Sequence, residues 1–519
     1  MRQTVTPTVL LGVLCASSFS FLLGYDIGIM SGAKRLIKRE FDLAEGELEL
    51  LVGILNLVSG PGGLISGRLA DVLGRRPSAA LACGVTLCGA LLMCSAGSYG
   101  WLLVGRVITG VGVGCCFHVA PLYLTEISPK HVRGKLVSSF DLFINVGILA
   151  GYGVGYALTP PSDADPAVGG SYAWRWMLGI GAVPPALILI ALVWLPESPR
   201  FLVSSGKERE AQAVLARIYT TDEAHATIEV LRSERRENKP LSLCGGLRRV
   251  FLPAKGAPRA LMVAGLGCAF WQQATGVEAA VYYTPETLEA AGITDEGNLL
   301  LATVGIGAVK VAFIIVAACL VEHRGRIQLL LLSTGGIAVA QFLLGLSFSL
   351  GNVVPLALFG QCMFMAAFSL GAGPCSMMVA SELFPQQVRG FALGVATLVN
   401  RVTSGTVALS FLSISRWLTP AGTYYAFAAL AVCACVFIHQ RVPETKGRSL
   451  EEIEMTMAGR FNFPGERTVG GLVESASAGD GVSSSPSPGA SVDRGRASSA
   501  PAGAAGLGDR RGAACVEVV

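Results

Sequence analysis

An apolar stretch near the amino terminus contains a single charged residue. The segment VLLGVLCASSFSFLLGYDIGIMSGA, residues 9–33, carries only the charge of Asp26. A helix rises about 1.5 Å per residue, so roughly 20 apolar residues cross a bilayer, and a carboxylate at that depth costs on the order of 3 kcal/mol. An acid in such a place either carries a proton or neutralises a basic partner in the same bundle. A structural salt bridge, or an acid at the membrane interface, is the alternative.

The composition places this acid in a polytopic membrane protein. Of 519 residues, 52% are hydrophobic and 15% are charged, whereas soluble domains carry about 25% charged residues. The net charge of +4 gives nucleic-acid binding no support. No nucleophile motif, metal-ligand cluster or phosphate loop occurs, so we expect no enzymatic activity, no metal and no cofactor. Most of the 14 cysteines lie in apolar runs and are interpreted as buried apolar residues.

Hydropathy predicts an all-α membrane protein with twelve transmembrane helices, which a charged middle loop divides into two halves of six. The predicted spans are residues 9–33, 48–68, 78–97, 101–122, 137–158, 176–195, 259–283, 298–321, 328–350, 353–380, 390–411 and 421–440. Residues 1–196 form the first bundle, 197–258 a cytoplasmic linker with amphipathic helices, including one at 207–219, 259–458 the second bundle, and 459–519 a disordered cytoplasmic tail.

Loop charges predict the orientation. Lys and Arg concentrate in the joints after spans 2, 4, 8 and 10, whereas the joints at 159–173 and 284–297 hold acids and neither Lys nor Arg. Because positively charged joints face the cytoplasm, both termini are predicted to be cytoplasmic. Four basic residues contradict this rule by falling on the outside among acids: Lys34, Arg35, Lys38 and Arg39.

The two halves repeat each other. YLTEISPKHVRG from Tyr123 returns as VASELFPQQVRG from Val379, and PESPR from Pro196 returns as PETKG from Pro443. The Gly-Arg pair after span 2 also returns after span 8, and all three echoes occur at offsets of 247 to 256 positions. This order indicates an internal duplication, which is typical of transporters whose site lies between the repeats.

Acids and arginines in the repeated segments stand at one membrane face. Since carboxylates and guanidinium groups form strong ion pairs, we predict that they pair across the halves when the cytoplasmic side shuts and separate when it opens. Plain positive-inside topology is the alternative. The predicted gate residues are Asp71, Arg75, Arg76, Glu126, Arg133, Glu197, Arg200, Glu322, Arg326, Glu382, Arg389 and Glu444.

Several motifs together resemble the sugar porter family of the major facilitator superfamily. They are GRxxDxxGRR at 67–76, the 126–134 segment, PESPR, the glutamine pair at 272–273, GxGP at 371–374 and PETKG. The resemblance runs over residues 11–453. It is strongest to plant polyol and monosaccharide proton symporters, through GYDIGIMSGA, FINVGIL, QQATGVEAAVYY, LLATVGIGAVK, VNRVTSG and PETKGRSLEEIE.

The resemblance implies the major facilitator fold, with two pseudo-symmetric six-helix bundles, and transport by alternating access together with protons. Asp26 matches the acid of the first span that proton-coupled members titrate, and Arg106 in span 4 matches its basic partner. The residue types agree with this role, because an arginine among Leu, Val and Gly needs an anion, and a carboxylate can exchange that arginine for a proton.

The resemblance also implies a substrate site, formed by Gln272, Gln273, Tyr282 and Tyr283 on span 7 and Asn400 on span 11. Amide groups donate and accept hydrogen bonds, as the hydroxyls of a sugar or sugar alcohol require, and aromatic faces cover the C–H side. A packing role between helices is the alternative for the two glutamines.

Four positions of this site depart from many hexose porters. Asp141 and Lys310 replace a glutamine and an asparagine on spans 5 and 8, Glu278 replaces an asparagine after the glutamine pair, and Met377 replaces a tryptophan on span 10. Since buried charges need partners, we expect Glu278 to pair with Lys310, and Asp141 with Arg106. A charged cavity without the tryptophan favours linear polyols.

Three functions therefore stay open. The first is a proton-coupled symporter of a polyol or monosaccharide, acting as a monomer in the lipid bilayer of the plasma membrane. The second is a facilitative carrier in which Asp26 only holds Arg106. The third is a sugar sensor that signals through its tail, although that low-complexity tail offers no obvious docking element.

Overall fold

The amino-terminal half consists of seven helices that follow the predicted spans. The long apolar stretch with Asp26 forms α1, and the sixth span is divided between α6 and α7 next to the proline pair at 184–185. The helices are α1 (Pro7–Phe41), α2 (Glu45–Leu73), α3 (Arg75–Cys94), α4 (Tyr99–Ile127), α5 (Arg133–Leu158), α6 (Pro166–Ile180) and α7 (Val183–Ala191).

Three short helices follow in the predicted linker: α8 (Pro199–Ser204), α9 (Glu208–Ile218) and α10 (Thr221–Glu237). The amphipathic helix expected at 207–219 is α9, which buries Ala211, Leu215 and Ile218 at helical spacing. Residues of α8, α9 and α10 share a small apolar core of their own.

The carboxyl-terminal half begins with an interrupted span. Helix α11 (Ala257–Ala274) ends just before Gly276, whose φ of 88° favours glycine. Helices α12 (Val277–Tyr282) and α13 (Thr284–Ala290) follow. Interruption frees carbonyl groups that lipid cannot satisfy. The side chain of Gln341 donates to the carbonyl of Thr275 at 2.6 Å, and Gln361 donates to that of Ala280 at 3.0 Å.

The remaining helices are α14 (Glu296–His323), α15 (Arg326–Ser349), α16 (Val354–Ala367), α17 (Gly373–Leu383) and α18 (Arg389–Arg441), with a π-helical turn between α16 and α17. Helix α18 has 53 residues and would be about 80 Å long if it were straight. It turns at Thr419, where φ is 68°, and Pro420, so it contains two spans.

The described residues are 7–128, 133–160, 166–219, 221–237, 245, 250–251, 257–385, 388–446, 448, 452–453 and 455–457, in this computed structural model. All lie in one compact unit, Met1–Gly465. They include 10 helices long and apolar enough to cross a membrane. Counting α18 twice and adding the interrupted span gives the twelve that the sequence predicts.

Glycines bring α1 and α5 together. A Cβ atom on Gly151 would lie 2.5 Å from the backbone nitrogen of Ile29, and one on Gly28 would collide with the backbone of Ile148. Small residues at such crossings let membrane helices approach closely. This packing fixes α1, and with it Asp26, against the rest of its half.

The halves meet through α1 with α12, α2 with α18, and α5 with α14. A shared core joins them and includes Met30 and Tyr152 from one half and Tyr282 and Phe411 from the other. The boundaries predicted at 197 and 258 stay predictions, and the predicted tail, 459–519, lies outside the described residues.

Candidate functional site

Asp26 and Arg106 form a buried ion pair. Nη1 of Arg106 lies 2.8 Å from Oδ1 and 2.9 Å from Oδ2 of Asp26, and its Nε donates to the carbonyl of Leu51 at 3.2 Å. Arg106 is 0% exposed and Asp26 is 7% exposed. The pair predicted as the proton-coupling site is therefore in contact.

Helix geometry explains why these two residues meet. Arg106 follows Leu102 by one turn and precedes Thr109 and Val113 on the buried side of α4, which packs against α1. A small cavity of about one water's size lies beside Asp26 and is bordered by Tyr25, Thr86 and Thr109 among apolar residues. The carboxylate thus has both a cation and a small, mostly apolar recess next to it.

The predicted amide residues form one network in the other half. Nδ2 of Asn400 donates to Oε1 of Gln272 at 2.8 Å, and Nε2 of Gln272 donates to the carbonyls of Ala372 and Gly373 at 3.1 and 2.8 Å. Nε2 of Gln273 donates to Oδ1 of Asn400 at 3.3 Å, while its Oε1 is buried without a hydrogen-bond partner among the described residues. These side chains lie together, as the sequence predicts.

The two tyrosines of the predicted site have different environments. Tyr282 receives a hydrogen bond from Asn56 of α2 at 3.3 Å, and so its hydroxyl reaches the other half. The hydroxyl of Tyr283 donates to the carbonyl of Ala408 at 2.9 Å, and its ring stacks on Phe411. Both tyrosines are 0% exposed. Tyr282 therefore borders the space between the halves.

The charged residues that replace the usual amides of hexose porters do not form the pairs that we expect from the sequence. Glu278 lies 3.9 Å from Nη1 of Arg401, not beside Lys310, whose Nζ stands 5.6 Å from the ring centre of Phe368. The expected Glu278–Lys310 pair is wrong for this conformation, because Arg401 on α18 lies nearer to the carboxylate.

Asp141 likewise does not pair with Arg106, because that guanidinium already binds Asp26 and Leu51. Asp141 is half-buried on α5, and its carbonyl accepts a hydrogen bond from Asn145 at 2.7 Å. Met377, also half-buried, packs against the apolar cluster that contains Val395.

Arg401 is the residue of this site that we did not select from the sequence. It is 7% exposed, and its Nε and Nη2 donate to Oδ1 of Asn400 at 3.1 and 2.9 Å. The reasoning that identified Arg106, a lone arginine in an apolar span, applies equally to VNRVTSG.

Three of the four basic residues that contradict the loop-charge rule, Lys34, Arg35 and Arg39, hold the two halves together at one membrane face, here called the Lys34 face. Nζ of Lys34 lies 2.7 Å from Oε2 of Glu286, donates to the carbonyl of Tyr282 at 2.7 Å, and stands 3.9 Å from the ring centre of Tyr283. Arg35 pairs with Glu289 at 3.0 Å. The Lys34 face is therefore closed.

On the same face Arg39 pairs with Glu296 at 3.4 Å. Glu49 of α2 accepts hydrogen bonds from the backbone nitrogen and the hydroxyl of Ser413 at 2.8 and 2.5 Å, and Glu45 pairs with Arg416. These contacts extend the closure from α1 to the boundary between α2 and α18.

The repeated motifs make repeated contacts at the opposite membrane face, here called the Arg75 face. Arg75 binds Glu126 at 2.9 Å, and Glu197 accepts the backbone N–H groups of Arg75 and Ser198 at 3.0 and 2.7 Å. Burial raises the pKa of Glu197, and these backbone hydrogen bonds oppose the rise.

The second half repeats this arrangement. Arg326 binds Glu382 at 3.4 Å, and Glu444 accepts the backbone N–H groups of Arg326 and Ile327 at 2.9 and 3.1 Å. The equivalent motifs thus make equivalent contacts, as an internal duplication requires.

These ion pairs lie within each half, whereas the gate hypothesis has them across the halves. Gly74, with a φ of 102°, turns the chain between α2 and α3 and directs Arg75 to the end of α4 in its own half. The gate role stays a prediction.

The other predicted gate residues lie near these pairs. Asp71 is 3.3 Å from Arg75, Arg76 donates to the carbonyl of Val193 at 3.1 Å, and Arg389 donates to that of Phe384 at 3.1 Å. Arg200 is exposed on α8. The side chains of Arg133 and Glu322 lie outside the described part of the chain.

Comparison with known proteins agrees with this architecture. A family model described as "Sugar (and other) transporter" matches residues 12–456. "Putative polyol transporter 2" of Arabidopsis thaliana is 39% identical over 465 residues, which is 85% of this chain and 89% of that protein.

Two solved structures share the fold. The proton:xylose symporter XylE bound to 6-bromo-6-deoxy-D-glucose has a TM-score of 0.73 and 26% identity, over 86% of this chain and 99% of that one. The inward open conformation of XylE from E. coli has a TM-score of 0.74 and 25% identity, over 86% of this chain and 100% of that one. These similarities confirm the resemblance and the fold class that the sequence predicts. The chain is a multi-pass membrane protein that belongs to the sugar transporter family of the major facilitator superfamily.

Proposed function

We propose that this protein is a proton-coupled symporter of a polyol or monosaccharide that works by alternating access. The observation that carries the proposal is the buried Asp26–Arg106 pair at 2.8 Å. A carboxylate held by a guanidinium in a membrane bundle can exchange that bond for a proton, and the exchange is felt by both helices. The similarity to a proton:xylose symporter supports the same role.

The cycle couples two binding events to one change of conformation. Protonation of Asp26 releases Arg106, the halves then close around the substrate, and loss of the proton on the other side restores the pair. Coupling needs only that the proton and the substrate favour the same conformation. The conformation described here is closed at the Lys34 face.

A polyol or monosaccharide fits the chemistry of the predicted substrate residues. Gln272, Gln273 and Asn400 supply amide groups, and Glu278 and Asp141 supply carboxylates that accept hydrogen bonds from hydroxyls. The many polyol transporters among the similar proteins support the polyol class.

We further propose that the Arg75 face is cytoplasmic, that both termini lie there, that the plasma membrane is the location, and that the monomer transports. The loop charges support the orientation. Three of the four basic residues that make α1 an exception, Lys34, Arg35 and Arg39, form ion pairs with acids of the other half, which neutralise their charges at the Lys34 face. Labelling of tags at the two termini in intact and permeabilised cells tests the orientation and location.

Transport assays test the function. The protein is expressed in cells without polyol and hexose uptake, and currents and radiolabel uptake are measured for sorbitol, mannitol, inositol, xylose and glucose at two pH values. We expect inward current and accumulation against a gradient for at least one of them, both abolished by a protonophore. Uptake that ignores pH and protonophore would instead establish the facilitative carrier. Absence of counterflow in proteoliposomes for all five compounds would contradict transport of this class and favour the sensor.

A further inference from the structure

Arg401 lies where the amide side chains of the predicted substrate site, the carboxylate of Glu278 and the opposite half come together. Its Nε and Nη2 bind Oδ1 of Asn400, and its Nη1 lies 3.9 Å from Oε1 of Glu278. The guanidinium also stands 5.0 Å from the ring centre of Phe117, a residue of α4 in the other half. Phe117 is itself packed edge-on against Phe140.

The guanidinium fixes the direction of the whole amide network. An arginine only donates hydrogen bonds, so Asn400 must turn its Oδ1 toward Arg401 and its Nδ2 toward Gln272. Gln272 must then accept with Oε1 and donate with Nε2, and its partners, the carbonyls of Ala372 and Gly373, only accept. The orientation of these amides is thus determined from both ends of the chain of hydrogen bonds.

One nitrogen of the guanidinium is left over. Nη1 of Arg401 is buried and has no hydrogen-bond partner among the described residues. At 3.9 Å the carboxylate of Glu278 is too distant to accept its hydrogen bond. A hydroxyl oxygen about 2.8 Å from both atoms would accept from Nη1 and donate to Oε1, and so would complete both groups. An uncompensated buried N–H is costly, which makes this site selective for a hydroxyl.

We propose that Arg401 and Glu278 together bind one hydroxyl of the substrate, with Arg401 also setting the donor and acceptor pattern that Gln272, Gln273 and Asn400 present. This inference rests on the proposed polyol or monosaccharide transport. It assigns substrate recognition to a charged pair of the carboxyl-terminal half that is separate from the Asp26–Arg106 pair of the amino-terminal half. The hydroxyl that bridges Arg401 and Glu278 receives a charge-assisted hydrogen bond and gives another.

The test combines substrate analogues with variants. Uptake kinetics are measured for D-sorbitol, D-glucose and the monodeoxy derivatives of each, in the wild-type protein and in Arg401→Gln, Arg401→Lys and Glu278→Gln. In the wild type we expect one deoxy position to raise KM by about ten- to a hundredfold, because a site built around a hydroxyl rejects the analogue without it.

In Arg401→Gln we expect KM for the parent substrate to rise by a similar factor and the penalty for that same deoxy position to disappear. The pH dependence of transport and the accumulation ratio at saturating substrate should stay as in the wild type, since Asp26 is untouched. Arg232→Gln, which removes a half-buried arginine of α10 that pairs with Glu208 outside the substrate site, is the control for expression and charge.

Three results would overturn the inference. One is that all three variants keep the wild-type KM and the wild-type ranking of the deoxy derivatives. Another is that a variant loses uptake equally for every analogue, which indicates a structural role. The third is a wild-type protein that transports the parent substrates with no deoxy position standing out. If Arg401→Gln does not reach the membrane, Arg401→Lys and Glu278→Gln decide by the same criteria. If the wild type transports neither sorbitol, glucose nor the other compounds of the panel, the proposed function fails instead.

Discussion

Lys34 and Glu286 lie 252 positions apart, within the offset that relates the two halves, and form an ion pair of 2.7 Å at the boundary between those halves. Asp26 and Glu278 are separated by the same offset, each within a Gly-x-acid motif. Asp26 binds Arg106 and Glu278 faces Arg401, so each half has a buried acid with an arginine of its own half. The duplicated first helices therefore carry the charges that form both the closed face and the two buried pairs.

Replacing Glu286 with Gln should loosen the Lys34 face. Lys34 is 0% exposed, and removal of its carboxylate leaves a buried ammonium whose loss of pairing costs about 3–5 kcal/mol in comparable sites. We expect faster hydrogen–deuterium exchange in α13, by roughly tenfold or more, since the closed conformation is the one destabilised. Exchange is measured by mass spectrometry on the purified protein.

Arg39→Gln is the matched control for that experiment. Its side chain is 58% exposed, and exposed ion pairs contribute about 0–1 kcal/mol, so exchange in α13 should not change. Equal exchange in Glu286→Gln and the wild type would show that the Lys34–Glu286 pair does not stabilise the closed face.

Asp26→Asn should uncouple transport from the proton gradient. Asparagine fills the same volume next to Arg106 but cannot bind a proton, so the substrate is expected to equilibrate to a ratio of about 1 without accumulating. Proton uptake with the substrate is measured with a pH electrode, and accumulation with radiolabel. Asp42→Asn, in the turn after α1 where φ is 48° and asparagine is well tolerated, is the control. If Asp26→Asn still accumulates substrate against its gradient, Asp26 is not the residue that couples transport to protons.

Gln272→Glu should weaken substrate binding. The new carboxylate faces the carbonyls of Ala372 and Gly373, where Nε2 now donates at 3.1 and 2.8 Å, so two hydrogen bonds are lost and acceptors oppose each other. A cost of about 1–3 kcal/mol corresponds to a KM raised roughly ten- to a hundredfold. Gln328→Glu, an exposed position on α15, makes the same chemical change outside the site. A KM like that of the wild type would contradict the role of the amide network.

Gly151→Ala should destabilise the first bundle. The added Cβ would lie 2.5 Å from the backbone nitrogen of Ile29, and overpacking of this kind costs about 1–3 kcal/mol. We expect a lower Tm in detergent and less protein in the membrane. Gly153→Ala, on the same helix with nothing within 4 Å of its Cβ, should behave as the wild type or slightly better. If the two variants have the same Tm, close packing of α1 on α5 is not what the glycine provides.

The residues that the sequence singles out most clearly are those whose signal is local or repeated. Asp26 is conspicuous because it is charged in an apolar segment, and the 126–134 and 382–390 segments stand out because they recur. The same local signal was present for Arg401, which we did not select. Lys34 looks like an exception to a topology rule until Glu286 is placed beside it.

By itself the sequence determined the helical membrane class, the span positions, the duplication and the candidate polar residues, because hydropathy and repetition are written along the chain. Only the tertiary structure decided which charges meet: Asp26 rather than Asp141 with Arg106, and Arg401 rather than Lys310 with Glu278. The physical reason is that an ion pair depends on where two helices cross and at what depth. Those crossings are set by close packing, as at Gly28 and Gly151, which no pattern of apolar residues encodes.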